Sequence, residues 1–426
     1  MLRRLTVVLL ALLVPGLVAW FGPHGCASPR VLVVGMDGAD WDVMDPLIDA
    51  GYLPNLGRIA RGGARAGLSC TEALPVLACF CPPVWNSIAT GHAGLEHRMN
   101  GLFSLSTDRG VKAIWDVVHD YGRTSTALSM RNTWPSEPGL DFNFTEEGLD
   151  FASTEIYERW GGPMDPRAAD PSFHTQPPHL FEALGLLPHV GPRTPLWAMY
   201  ARDRVTMEAL RRLTRFARTD FTFVVLHGVD KAEHLLWADV QPVQNGPFDL
   251  EALLGFAESY DGPLEGPAPW AFGSVTSQYQ EADAWLGRLL RRVHYDYVML
   301  VSDHGMGRNP GPGLRGQHNL ANPEAHIGIF AMAGPGIRRR DLGVVSVFDV
   351  APTLAYLMQL PVADDLPGGL LEDAFWPAWL ERHPVRRVSS WELPPIELPK
   401  PRPWNRSRGG TARRPTQRSR PTRSEA

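Results

Sequence analysis

Short apolar runs alternating with segments of helical periodicity predict an α/β fold. The expected form is a three-layer α/β/α sandwich around a largely parallel central sheet, with loop or cap insertions. Residues 31–36 (VLVVGM), 222–226 (TFVVL) and 297–301 (YVMLV) are short and apolar throughout, as strands covered on both faces are. Each run leads directly into acidic or imidazole side chains, in MDGADW, LHGVDKAEH and VSDHGM. The carboxyl ends of strands in an open α/β sheet form its ligand crevice. Carboxylates and imidazoles there are good ligands for divalent metals.

The remaining elements follow in order. After the first strand, 41–63 reads as helix, turn and helix, with Gly51 and Pro54 as punctuation. PPVWNSIATG (82–91) reads as a helix opened by prolines, which a first turn tolerates. Residues 111–117 suggest a helix and 124–129 a strand. Residues 135–195 are rich in Pro, Gly, His and aromatics without clean periodicity, and are expected to form an insertion or cap. A helix at 199–217 leads into the strand at 222–226, and 239–273 is a second Pro/Gly-rich excursion. A helix at 275–293 feeds the strand at 297–301. GIFAMAG (328–334) is expected to be the final strand, followed by a helix near DVAPTLAYLM.

The 426 residues suit one large domain, here 30–385, between two unlike ends. Two Arg precede an apolar run from about Leu5 to Trp20, the layout of a signal peptide or short anchor over 1–25. Cys26 follows Gly25 as a lipidation site would, although Pro23 and His24 fit that signal poorly. The mature chain is therefore expected outside the cytoplasm: periplasmic, extracellular or anchored facing outward. From Lys400 to Ala426 there are nine basic residues and one acidic one, so the rest carries −13 against a total of −5. An acidic body argues against a nucleic-acid-binding module, and 394–426 reads as a disordered basic tail. The N-terminus and this tail each offer a contact to a membrane or anionic surface.

The opening VVGMDGADWDVMDPLIDAGYLPNLGRIARGGARAGL, then PPVWNSIATGHAGLEH, GVDKAEHLLW, VSDHGM, GIFAMAGPGI and DVAPTLAYLMQLPV stand in one order over about 31–362. Together they resemble the type I phosphodiesterase/nucleotide pyrophosphatase family of the alkaline phosphatase superfamily. The resemblance implies an alkaline-phosphatase-like fold and a phosphoester hydrolase with phosphodiesters as preferred substrates. It also implies two divalent metals, most simply zinc, and a covalent intermediate on a side-chain nucleophile. Carried over, Asp37, Asp303 and His304 would hold one metal, and Asp230, His234 and a later His the other. His318 (RGQHNL) fits the family's Gly-x-His element, ten residues before Gly328, and is preferred; His326 (EAHIGIF) lies nearer that strand and is the alternative. Asn100, displaced by two positions, is the candidate donor to the phosphoryl oxygens. Substrates would be small-molecule, lipid or polymer phosphoesters.

The departure is Cys81, nine residues before Thr90, where the family has Thr or Ser. As a thiolate, Cys81 would be the nucleophile and also a metal ligand. As formylglycine it would point to a sulfatase or phosphonate monoester hydrolase, but CPPVW carries Trp85 where that motif has Arg. As a disulfide partner it would leave a catalytically weak, metal-containing envelope binding protein. Cys79 and Cys81 are poorly spaced for a mutual bridge, because alternate Cα atoms on an extended chain lie near the ~7 Å limit. Cys70 is the better partner for either.

Overall fold

The computed structural model describes residues 28–73, 79–102, 104–145, 195–258, 274–309, 314–319 and 322–398. The 1–25 segment, most of the 135–195 insertion, the end of the 239–273 excursion and nearly all of the basic tail lie outside them. Pro29–Pro395 forms one compact unit and carries every element below. Met1–Ser28 and Ile396–Ala426 make up the other unit, of which only Ser28 and 396–398 are described.

The strands are β1 (Val31–Met36), β2 (Ala64–Ser69), β3 (Ser125–Leu128), β4 (Phe142–Phe144), β5 (Phe221–Leu226), β6 (Tyr297–Val301), β7 (Gly307–Arg308), β8 (Gly316–Gln317), β9 (Ile327–Ala333), β10 (Arg340–Ser346), β11 (Val362–Ala363) and β12 (Arg387–Val388), the last two paired with each other. Eight of them make one sheet in the order β10-β2-β9-β6-β1-β5-β3-β4, while β7 and β8 pair with each other. Strand β9 runs antiparallel to both neighbours, and the other pairings of this sheet are parallel. The helices are α1 (Trp41–Asp49), α2 (Pro54–Gly62), α3 (Cys81–Thr90), α4 (Gly94–His97), α5 (Ile114–Asp120), α6 (Pro195–Phe216), α7 (Gly228–Val240), α8 (Leu250–Glu258), α9 (Val275–Arg292) and α10 (Val350–Leu357).

The period of two in β1 divides the core. Leu32, Val34 and Met36 pack with Val224 and Leu226 against Met44 and Leu47 of α1, Leu56 and Ile59 of α2, and Tyr279 and Leu286 of α9. The opposite face meets α3, and α5 packs on β3; α10 lies against both helices. There Trp85 stands edge-on to Phe223, with ring centroids 6.2 Å apart. A Cβ on Gly35 would lie 2.6 Å from the Trp85 ring, so β1 needs glycine where α3 crosses it. Helices on both faces give the expected three-layer sandwich.

Three strands of the eight-stranded sheet escape the sequence reading. β2 (ARAGLS) alternates buried and half-buried residues, with an Arg and a Gly diluting its apolar signal. β4 is three residues long and falls in the stretch expected to be insertion. β10, on the sheet edge, is mostly exposed and opens with Arg and Asp. It follows β9, so GIFAMAG is not the final strand. Helix α8 lies inside the second excursion, and α5 begins three residues later than the expected helix at 111–117.

Candidate metal centre

Strand β1 lies between β5 and β6, parallel to both, so three carboxyl ends emerge side by side. They deliver Asp37, His227 and the pair Asp303–His304, all essentially fully buried. The backbone N–H of Asp37 donates to Leu226 O at 2.9 Å, and that of Asp230 donates to Asp37 O at 2.9 Å. This close crossing needs Gly38. Its φ is +80°, and a Cβ there would come within 2.9 Å of Asp230 Cα.

The turn after β5 continues as α7, where Asp230 and His234, four apart, share one face. Cys81 is the first residue of α3, with Pro82 and Pro83 in the same first turn. His318 follows β8 directly. The ligand atoms of Asp37, Cys81, Asp303 and His304 all lie within 4.8 Å of one another, and so do those of Asp230, His234 and His318. The two groups adjoin. The His304 and His318 rings stack at 3.6 Å, and these two imidazoles with Cys81 form a third such set.

The imidazoles are oriented alike. Each Nδ1–H donates to a backbone carbonyl: His234 to Gly316 O (2.8 Å), His304 to Gly305 O (2.8 Å) and His318 to Cys79 O (3.0 Å). A carbonyl can only accept, so each Nε2 is left with its lone pair facing the cluster. His304 Nε2 lies 3.5 Å from Asp37 Oδ1, 3.4 Å from Asp303 Oδ2 and 3.3 Å from Cys81 Sγ. Asp230 Oδ1 lies 3.2 Å from His234 Nε2 and 3.7 Å from His318 Nε2. Asp37 Oδ1, Asp230 Oδ1 and Asp303 Oδ2 are buried with no hydrogen-bond partner. Apart from the Cys81 thiol, acceptors thus face acceptors with no donor between them. Cations fit this arrangement, and imidazoles fixed by backbone carbonyls are how metal-binding histidines are usually held.

The outer carboxylate oxygens are occupied differently. Asp37 Oδ2 lies 2.6 Å from His227 Nδ1 and 3.9 Å from the Arg131 guanidinium, while Asp230 Oδ2 accepts from Lys231 Nζ at 2.7 Å. Burial pushes the Cys81 thiol well up, and Asp37, Asp303 and Asp230 push it further. Burial, then the neighbouring His304, pushes His318 down to about 3, and burial lowers His304 too. Both rings are therefore neutral, as metal ligation requires. Without cations the thiol keeps its proton; with them the local logic inverts.

Of the expected site residues, Asp37, Cys81, Asp230, His234, Asp303, His304 and His318 converge here. His326 is held elsewhere, donating from Nε2 to Asn319 O at 3.2 Å. Asn100 has a buried Oδ1 with no hydrogen-bond partner, and no hydrogen bond or ion pair joins it to these ligands. Cys70 and Cys79 form a disulfide, and Cys81 is a free, buried thiol, so the disulfide reading of Cys81 is corrected. Trp85, which replaces the Arg of the formylglycine motif, is a core residue. Sequence reasoning passed over His227, Arg131 and Lys231. The signal for His227 was its place at the end of TFVVL; Arg131 stands similarly beyond β3.

The family model described as type I phosphodiesterase / nucleotide pyrophosphatase matches residues 31–337. The chain belongs to this family. No curated protein matches it. Among solved structures, the family member is similar to BT1596, a 2-O GAG sulfatase, at 13% identity and a TM-score of 0.52, covering 82% of this chain and 74% of that one. It is also similar to murine ectonucleotide pyrophosphatase / phosphodiesterase 5 in complex with AMP, at 14% identity and a TM-score of 0.48, covering 82% and 100%. The α/β sandwich is thus a fold shared with BT1596. Among the described residues no helix is long and apolar enough to cross a membrane.

Proposed function

We propose that this protein is an exported, two-metal phosphoester hydrolase whose nucleophile is Cys81. The observation that carries the reading is the pair of adjoining ligand groups with Cys81 Sγ in the wall they share. Asp37, Asp303, His304 and Cys81 would hold one ion, and Asp230, His234 and His318 the other. Thiolate together with imidazole favours zinc in the first group. Bound there, the metals would supply Lewis-acid stabilisation of phosphoryl charge and of the leaving oxygen. Cys81 gives its proton to solvent on loading. Its Sγ then forms a bond to phosphorus as the bond from phosphorus to the leaving oxygen breaks, and that oxygen takes a proton. Water next attacks phosphorus and gives a proton to solvent, the Sγ–P bond breaks and the thiolate returns. Export is supported by the N-terminal pattern and by the Cys70–Cys79 disulfide, which belongs to an oxidising compartment. Substrates would be small molecules or the phosphoester groups of lipids or polymers.

The test is hydrolysis of bis-p-nitrophenyl phosphate and p-nitrophenyl phosphate by the zinc-loaded full chain, compared with Cys81→Ala. A fall of ~10³-fold or more is expected for a lost nucleophile. Full activity in the variant would overturn the assignment of Cys81. An intact mass reduced by conversion of the thiol to an aldehyde would make the active species formylglycine. Bound zinc with no turnover of either ester would leave a binding protein.

A further inference from the structure

His318 is carried differently from the other imidazoles of the metal centre. His304 leaves the central strand β6, and His234 stands within α7. His318 follows β8, a two-residue strand paired with the equally short β7. The Nδ1–H acceptor of His304 is its own neighbour, Gly305. That of His318 is Cys79 O, 239 positions away in sequence. The aim of His318 therefore depends on what fixes the backbone at Cys79. The next residue, Phe80, is the N-cap of α3 and makes no side-chain cap hydrogen bond. Cys79 is instead bonded through sulfur to Cys70. Cys70 continues β2, and its N–H donates to His326 O at 3.2 Å, directly after the Ser69–Ile327 pairing of β2 with β9. The disulfide thus ties the start of α3 to the central sheet.

Residues 79–81 serve both ligand groups. The Cys79 carbonyl orients His318 for the second, and Cys81 Sγ stands in the first, 3.3 Å from His304 Nε2. The two groups do not depend on this segment equally. Were it released, the first would keep Asp37, Asp303 and His304, whereas the second would be left with Asp230 and His234. Even an open zinc site uses three protein ligands. The second ion is therefore the one at stake.

We propose that the Cys70–Cys79 disulfide is a positioning element for the second metal, so that the chain takes up that ion tightly only once it has been oxidised. This rests on the two-metal, exported reading and adds its order of assembly. In the oxidation step the thiols of Cys70 and Cys79 give up two protons and two electrons as their S–S bond forms. The disulfide of a thiol oxidoreductase accepts them and becomes a dithiol. Both cysteines are wholly buried in the product. Exposed or strained disulfides are the labile ones, so this bond marks a committed step rather than a reversible switch. A chain still in a reducing compartment would hold one ion tightly and lack the second.

The experiment titrates zinc into the full chain against a chromophoric chelator. It compares the oxidised wild type, the Cys70→Ala/Cys79→Ala pair, His318→Ala and the three changes combined. The alanine pair keeps the backbone carbonyl at 79 and removes its tether. The wild type should bind two ions. Without the disulfide the second should weaken by ~10–100-fold, the scale for losing a group that orients a ligating His, and the first should change far less. His318→Ala should then cost the second ion much less in the disulfide-free chain than in the oxidised one, because both changes remove the same ligand. A bond that only stabilised the fold would not produce that coupling. Two ions held as tightly by the folded disulfide-free chain, equal weakening of both, or additive effects with His318→Ala would each overturn the inference. If the alanine pair does not fold, wild type refolded with zinc under a phosphine reductant takes its place. Failure of that form too would assign the bond to the fold as a whole and overturn the inference. An oxidised wild type that binds fewer than two ions would retire the two-metal reading, and this inference with it. Two ions bound without turnover of any ester would retire the hydrolase reading alone.

Discussion

Asp40 carries the cost of a carboxylate buried at a helix start. It caps α1, accepting the Asp42 N–H at Oδ1 at 2.7 Å. Burial, and then Asp42, push its carboxyl up to about 7. Unfolded, it titrates near ~3.9. The folded chain therefore binds the proton more tightly, and this group's contribution to stability falls as pH rises from about 4 to about 7. Above that it stays constant. Asp40→Asn keeps an oxygen for the cap and removes the charge. We expect the metal-free variant to gain on the wild type progressively across that window, with a fixed gap above it, in urea midpoints measured against pH. At this scale the sequence was informative about residue type: Asp37, Asp230, Asp303 and His304 stand shortly after apolar runs. It was silent on orientation. Nothing in RGQHNL against EAHIGIF says that Cys79 O will receive the Nδ1–H of His318 while Asn319 O receives His326.

Among the elements, α7 depends on a neighbour for its start. Its N-cap, His227, makes no side-chain cap hydrogen bond. Instead Asp203 of α6 accepts the His227 N–H at Oδ1 (2.9 Å) and the Gly228 N–H at Oδ2 (2.8 Å). A carboxylate at this end also meets the positive pole of the helix dipole. Asp203→Ala should cost about 2 kcal/mol, the upper range for a lost cap, with Asp203→Asn costing less. Chemical denaturation of the metal-free protein measures this directly. Because α7 carries both Asp230 and His234, zinc affinity should fall in the same order. No local signal marks this cap, since Asp203 precedes Gly228 by 25 residues. The strands show the same limit. β1, β5 and β6 are legible because burial on both faces makes them almost wholly apolar. β10 reads as loop because an exposed edge tolerates Arg340, Asp341 and Gly343.

For the whole molecule, alternation of strands and helices was enough to place the crevice, because any parallel sheet gathers its carboxyl ends on one side. Strand order was not legible, and neither was the reversal of β9, since side-chain periodicity does not record direction. The same topology governs when the site can exist. Cys81 and His304 touch across 223 residues, and Cys79 and His318 across 239. An unfolded chain offers a metal only local pairs such as Asp230 and His234, so the full ligand set assembles only after the sheet has closed those loops. Zinc should therefore leave the refolding rate nearly unchanged and slow unfolding, which stopped-flow measurements at increasing zinc would resolve as a shift confined to the unfolding limb. In its working state the protein would then be held together less by how readily it folds than by how seldom it lets its metals go.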